Sequence, residues 1–389
     1  MNFDLTDEQK QLADSAERYI RERYPFEERR QATARADGFS RKQWRQFAEM
    51  GWLALDIAEE NGGLSGSSLD LALLMEPLGH GLVVEPLVDT AVLCASILSG
   101  VGQTQKRLRL LELIASGESV MALAHQEQHS RNEYQVDVCT LAHKVTDGWI
   151  LDGRKHRVFH GAGADQWLVS ALLEGSREPA LFLVERTAIG VSLDGYELID
   201  GSRAADLHLN NVRLDDTALL MHGAAVANAL ETALDRAILA LCAGSVGSME
   251  AVMSMTADYL KTRVQYGKSL AQFQALQHRM AEMFVETDQA RAMLFSAINA
   301  FEGTDPARRR VAISGAKVFI ARAHYFVASQ GIQLHGGIGT TDEYAVGHHY
   351  KSAVYFEQRF GDSDFHLSRA SESWIGASLE LPLGGALHA

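Results

Sequence analysis

Apolar residues recur at helical spacing through the first 118 residues, at short alternating intervals from 119 to 221, and at helical spacing again from 222 to near the end. In the first stretch, Thr6 and Gln9 have capping-box spacing ahead of QLADSAERYIRERY. Further helices are predicted over RKQWRQFAEMGWLAL, LDLALLMEPLGHG and QKRLRLLELIASG, with a loop marked by Gly62, Gly63 and Gly66. In the middle stretch, SVMALAHQ, DVCTLAHKV, GWILDGRKHRVFHG, DQWLVSALLE, PALFLVER and ADLHLNNVRL are short runs separated by turn signals. The dipeptide Asp147-Gly148 marks a hairpin between two of them. These runs predict a small antiparallel barrel or sandwich.

The third stretch holds three long helical patterns, beginning at Ala224, Gln272 and Pro306. Ala243, Gly244 and Gly247 on the first are small enough to let another helix approach closely. Three or four antiparallel helices of this kind make a bundle. The predicted fold is α+β, with an N-terminal helical domain (1–118), a middle antiparallel β-barrel domain (119–221) and a C-terminal four-helix bundle (222–389).

Composition narrows the partners. A net charge of -14 repels nucleic acid and anionic membrane surfaces. Cys94, Cys139 and Cys242 lie far apart without metal-ligand spacing and read as free thiols of a reducing compartment. The N-terminal MNFDLTDEQK has no apolar signal region, and the chain has no run of about 18 apolar residues. These features point to a cytoplasmic protein that does not enter membranes.

Several stretches could carry chemistry. Arg263 beside Gly267 reads either as an anion clamp or as the end of a helix. Gly336, Gly337 and Gly339 form either a loop that approaches a phosphate or a plain helix stop. Glu357, Asp362 and Asp364 near Gly361 have the pattern of solvated turn acids, with Glu357 facing solvent. His348, His349 and His366 lack carboxylate-histidine spacing, so no metal is expected. Asp235 shares a helical stripe with Leu239, Cys242 and Val246, where a carboxylate costs free energy to bury.

DLTDEQKQLADSAERYI, EENGGLSG, TRVQYGKSLAQFQALQHRMAEM and IQLHGGIGTTDEYAVGHHYK occur in one order on this helix–β–helix frame. In this combination the chain resembles the acyl-CoA dehydrogenase family. HGGIGTTDEYAVGHHYK and RFGDSD are most similar to the small subunit of pimeloyl-CoA dehydrogenase-like members. The resemblance implies a bound FAD and an acyl-CoA thioester desaturated between its second and third carbons. A base takes the Cα proton while hydride leaves Cβ for flavin N5. It also implies electron-transfer flavoprotein as the electron acceptor. The expected assembly is a homo-dimer, a homo-tetramer or a mixed oligomer with a larger acyl-CoA dehydrogenase subunit.

The same resemblance assigns residues. Arg263, Gln265, Tyr266 and Gln274 match segments that reach a neighbouring subunit's FAD. Gln333, Gly336 and Gly337 match the loop on its adenylate part, and Asp362, Ser363 and Asp364 match a segment near the flavin. The family's Thr-Glu-Pro-x-x-Gly-Ser-Asp stretch is AHQEQHSR here, keeping Ser130. Its Trp-Ile-Thr segment is Arg157-Val158-Phe159. Phe360 stands before Gly361 where the common catalytic Glu precedes Gly. Phenylalanine takes no proton, so that loop keeps only backbone donors for the thioester carbonyl. The alternative position for the base implies Asp235, with Arg236 steadying acyl-CoA. Asp is one methylene shorter than Glu, a reach deficit of roughly 1.5 Å. Asp235 therefore has three readings: a working base, a relic in a subunit whose partner does the chemistry, or a structural acid paired with Arg236 or a lysine. Direct reoxidation of the flavin by oxygen is a third functional option beside active and silent subunits.

Overall fold

The capping box closes as the sequence predicts. In a computed structural model describing residues 5–134 and 138–379, the Gln9 amide donates to Thr6 Oγ1 at 3.2 Å. The Thr6 amide donates back to Gln9 Oε1 at 3.1 Å. Helix α1 (Asp7–Arg23) follows, then α2 (Phe26–Thr33), α3 (Arg41–Glu49) and α4 (Ser68–His80). The helix expected to run on to Leu55 stops at Glu49, because Gly51 adopts φ 76°. A wide π-helical segment, Leu87–Cys94, leads into α5 (Ala95–Ser99), and α6 (Gln105–Ala115) ends this layer. The π segment and α2 are absent from the sequence reading.

Among the described residues the sheet has eight strands: β1 (Met121–Ala124), β2 (Leu141–Val145), β3 (Gly148–Phe159), β4 (Gln166–Leu173), β5 (Pro179–Glu185), β6 (Val191–Glu197), β7 (Arg203–Leu214) and β8 (Leu219–His222). Its order is β6-β7-β3-β2-β4-β5-β8, with β1 also on β4. It is mixed rather than purely antiparallel. β5 takes one edge of β4, while β1 and β2 share the other edge in tandem, both parallel to it. Between β1 and β2 the chain leaves the sheet, and that excursion carries the AHQEQHSR segment. The hairpin forms one residue earlier than its dipeptide suggests. Val145 pairs with Gly148 around Thr146 and Asp147. Gly148 sits at φ 144°, where a Cβ would lie 1.9 Å from the Leu214 carbonyl oxygen.

Helix α7 (Ala224–Thr262), a two-stranded hairpin of β9 (Val264–Gln265) and β10 (Lys268–Ser269), α8 (Gln274–Phe301), α9 (Pro306–His335), α10 (Ala345–Gln358) and α11 (Ser363–Leu379) complete the chain. Helix α9 is central, touching α7, α8, α10 and α11. By length and hydropathy α7 could span a bilayer, but 67% of its most apolar window is buried inside the protein. Helix α4 crosses α7 at the small residues singled out above. A Cβ on Gly79 would meet Gly244 O at 1.8 Å, and one on Gly247 would meet Glu76 O at 1.9 Å. Both obstacles are backbone, so neither can swing away. Gly247→Val should therefore cost about 3 kcal/mol, read as a fall in the urea midpoint. An unchanged midpoint would show that the helices do not touch there.

Candidate active site and flavin-binding segments

Asp235 is wholly buried on α7. Tyr134 Oη donates to its Oδ1 at 2.8 Å, and Arg369 Nη2 donates to the same atom at 2.9 Å. Arg309 Nε lies 3.3 Å from Oδ2. Burial raises the Asp235 pKa, and Arg369, Tyr134 and Arg309 oppose that rise without cancelling it. Arg369 also bonds Glu231 at 2.9 Å and stacks over the Tyr134 ring at 4.4 Å. Tyr134 and Arg369, with Glu231, Arg310 and Phe365, line a neighbouring cavity of about 460 Å³. The carboxylate thus lies behind the two side chains that hold it.

Arg236 faces elsewhere. Successive helical residues diverge by about 100°, so neighbours in sequence do not face each other. Its Nε donates to Asp56 Oδ1 at 2.6 Å, Nη1 to Ser68 Oγ at 2.8 Å and Nη2 to Gly66 O at 3.1 Å. The side chain is thereby committed to the loop before α4. Asp235 and Arg236 do not pair, and the acid's cations come from α9 and α11 instead.

The loop joining α10 to α11 takes two left-handed residues in succession, Phe360 at φ 59° and Gly361 at φ 96°. A Cβ on Gly361 would lie 2.5 Å from the Phe365 ring. Phe360 is wholly buried. The Arg359 guanidinium is sandwiched between two rings, 3.8 Å from Phe360 and 3.6 Å from Phe159. Arg359 also ion-pairs with Asp89 and with Glu133. His160 Nδ1 lies 2.9 Å from Asp89 Oδ2, and its Nε2 lies 3.2 Å from Val84 O. With an acceptor facing each nitrogen, both N–H groups of a charged imidazole are satisfied. Burial opposes that charge, but Asp89 outweighs it and raises the His160 pKa. Burial likewise penalises the Asp89 carboxylate, yet Arg359 and His160 hold it at about 2. The result is an alternating row of buried charges: His160, Asp89, Arg359, Glu133.

The acids after Gly361 have local roles. Asp362 accepts from the Phe365 amide at 2.9 Å, capping α11, and both Asp362 and Asp364 are exposed. Glu357, expected to face solvent, is half-buried and engaged. Its two oxygens accept from the amide and hydroxyl of Ser363, each at 3.0 Å.

Within AHQEQHSR, the Ser130 amide donates to Glu127 O at 2.9 Å, and the Glu127 amide donates to Ser130 Oγ at 3.2 Å. Arg157, at φ 51°, donates to Ser130 O at 3.4 Å, and the His156 amide donates to Gln126 O at 2.8 Å. Gln126 Oε1 and Arg157 Nε are buried without a hydrogen-bond partner. An orphaned acceptor and an orphaned donor on adjoining segments suit the alternating donor and acceptor edge of an isoalloxazine, so these residues fit the flavin ring. The remaining candidates lie on the bundle surface. Arg263, Gln265, Tyr266, Gln274, Gln333, Gly336 and Gly337 are all exposed. Tyr266, at the hairpin tip, is 92% exposed. Nothing lies within 4 Å of a Cβ built on Gly267, Gly336 or Gly337. These segments and the Gln126–Arg157 pair lie on separate parts of the fold.

The acyl-CoA dehydrogenase N-terminal domain model matches residues 6–118, and the C-terminal domain model matches residues 222–374. The chain belongs to the acyl-CoA dehydrogenase family. These are FAD-dependent flavoprotein oxidoreductases of CoA-ester metabolism. The chain is 27% identical to mitochondrial isovaleryl-CoA dehydrogenase of Pongo abelii, over 92% of this chain and 87% of that protein. It is 26% identical to the probable acyl-CoA dehydrogenase YngJ of Bacillus subtilis, over 94% and 97%. Among solved structures, the Tcur3481–Tcur3483 steroid ACAD variant matches with a TM-score of 0.84 and 27% identity, covering 96% of this chain and 99% of that one. The ChsE4–ChsE5 complex from Mycobacterium tuberculosis matches with a TM-score of 0.82 and 25% identity, covering 99% and 100%.

Sequence reasoning missed Arg359, Glu133, Asp89, Tyr134 and Arg369. Arg359 alone left a trace, as a charged residue directly before the phenylalanine that replaces the common base. The others come together only through the tertiary fold.

Proposed function

We propose that this chain is the flavin-sharing subunit of a mixed, FAD-dependent acyl-CoA dehydrogenase. The assembled enzyme introduces a 2,3 double bond into an acyl-CoA thioester. The Cα proton goes to a carboxylate of the companion subunit, and electrons pass on to an electron-transfer flavoprotein. Bound FAD supplies the acceptor for the Cβ hydrogen, which has no acidity and leaves only as hydride. The observation that carries this reading is Arg359, lodged between Phe159 and Phe360. Phe360 stands where the base would be, and it packs against a buried cation instead of presenting a carboxylate. Asp235, the remaining acid assigned as a base, has Oδ1 held by Tyr134 and Arg369, while Oδ2, 3.3 Å from Arg309 Nε, is buried without a hydrogen bond. That free oxygen is sealed behind Tyr134 and Arg369, which must move aside before it can reach a substrate proton.

Arg263, Gln265, Tyr266, Gln274, Gln333, Gly336 and Gly337 are the residues this chain would lend to FAD. Their exposure supports a site completed by a second polypeptide. Two similar solved proteins carry paired polypeptide names, which accords with a mixed assembly.

The experiment is anaerobic titration with a panel of acyl-CoA thioesters, following flavin absorbance. It is run on the chain alone and on the chain co-expressed with a larger homologous subunit. The complex should bleach and the chain alone should not. Asp235→Asn should leave bleaching of the complex within about twofold, and Arg263→Ala should lower its FAD content severalfold. Bleaching of the chain alone that disappears in Asp235→Asn would overturn the proposal and make Asp235 the base.

A further inference from the structure

Outside the acid–arginine clusters, one group of side chains has the composition of a metal site. Glu127, His129 and Cys139 each offer one ligand atom, and these atoms lie within 4.8 Å of one another. The local fold explains why. The Ser130 amide donates to Glu127 O at 2.9 Å, closing a turn that places His129 two residues after Glu127. The chain then returns toward β2 with the Cys139 amide donating to Glu127 Oε2 at 2.7 Å. That contact brings the thiol-bearing residue back onto the carboxylate.

The carboxylate is also fixed from behind. Glu127 Oε1 accepts from the Thr140 amide at 2.9 Å, from Thr140 Oγ1 at 2.7 Å and from Lys155 Nζ at 2.7 Å. Lys155 is wholly buried and also bonds Ser170 Oγ at 3.1 Å. A ligating carboxylate oriented by such outer contacts is the usual arrangement around protein-bound metals. Oε2, which accepts only the Cys139 amide among the described contacts, is the oxygen left to coordinate. His129 and Cys139 are exposed, so an ion can enter.

We propose that Glu127, His129 and Cys139 form a binding site for one Zn²⁺ ion, with the fourth coordination position taken by water. One thiolate, one imidazole and one carboxylate suit a borderline-soft, tetrahedral ion better than a hard, all-oxygen ion such as Mg²⁺ or Ca²⁺. Tetrahedral zinc with these ligands holds its ligand atoms roughly 3.3–3.8 Å apart. Closing from up to 4.8 Å to that spacing requires the two exposed side chains to rotate onto the ion. On binding, the Cys139 S–H bond is replaced by an S–Zn bond and the proton leaves to solvent; no oxidant or reductant is involved. The cysteine spacing gave no sign of this site, because its ligands come from a turn and from the far side of an excursion out of the sheet.

The proposal is independent of the flavin reading, and its test uses the metal-free full chain without FAD or a companion subunit. Isothermal titration with Zn²⁺ should give one ion per chain, with one proton released. Cys139→Ser and His129→Ala should each weaken binding at least about tenfold. Co²⁺ in place of Zn²⁺ should give a thiolate-to-cobalt charge-transfer band, absent in Cys139→Ser. His278→Ala, which removes another exposed histidine, should change nothing. Binding that is substoichiometric in the unaltered chain, or unchanged in both ligand variants, would overturn the site. Circular dichroism of each variant separates lost ligation from lost folding.

Discussion

Arg359→Met should destabilise the protein by about 3–5 kcal/mol, the cost of leaving buried charges without their counter-ion. Urea unfolding at neutral pH is the measurement. Arg359 is buried with two carboxylates against it, Asp89 and Glu133. Removing the cation leaves both acids buried, with His160 against Asp89 and no ion pair for Glu133 among the described residues. Methionine keeps most of the volume between the Phe159 and Phe360 rings, so a packing void explains little of the loss. Neutralising the acids as well, in Arg359→Met/Asp89→Asn/Glu133→Gln, should recover a large part of it. A single-variant loss below about 1 kcal/mol would mean that water already reaches the cluster.

Acidification from pH 6.5 to 5 should remove a further large share of the stability, and imidazoles should be the cause. His324 is wholly buried on α9 with Nε2 2.8 Å from Ser248 Oγ, and burial pushes its pKa down to about 3. His366 on α11 is likewise pushed down to about 3, by burial and the Lys317 charge, with Nε2 2.9 Å from Phe360 O. His349 shares the Ser248 hydroxyl at 2.7 Å and is depressed well below its ordinary value by the same burial. Unfolded, each takes up a proton near pH 6.5; folded, His324 and His366 resist until about pH 3, and burial depresses His349 in the same direction. The unfolded state therefore binds more protons across this window, and stability falls as pH falls. The slope is about 1.4 kcal/mol per unit and per histidine. His324 and His366 alone should cost about 3 kcal/mol between pH 6.5 and 5, because the slope starts at half its full value where the unfolded ring is half protonated. Asp89, held at about 2, loses its contribution only below its ordinary carboxylate range and so does not enter this window. Urea midpoints at pH 7.5, 6 and 5 test this, and His324→Gln should make the slope shallower. A flat profile would mean that these rings are already protonated or solvated.

The long helices were legible because burial along α8 and α9 follows the chain's own period, while α7, buried nearly all round through its middle, shows a long run of apolar and small residues. The close approach at Gly244 and Gly247 was legible too, since only small residues permit it. The sheet was read by its segments but not by its pairing. Alternation locates a strand, whereas the parallel placement of β1 and β2 on β4 depends on a loop that leaves the sheet. Strand β6 escaped because exposed residues such as Ser192, Asp194 and Gly195 carry little apolar signal. At the site, sequence located Asp235 and raised the possibility of a structural acid, but named the wrong neighbour for that reading. Arg236 follows it in the chain, while Arg369 and Arg309 meet it in space. Adjacency along a helix is a poor guide to ion pairing, and distant cations leave no spacing rule to read.

The row of charges from His160 through Asp89 and Arg359 to Glu133 draws its members from the early helices, the sheet, its excursion and the final loop. It works as a lock that needs all its tumblers. A fragment ending near residue 118 would strand Asp89 in oil, and one beginning near residue 222 would strand Arg359. Heating should thus melt the described chain in one step rather than by regions, and proteolytic pieces should fail to persist on their own.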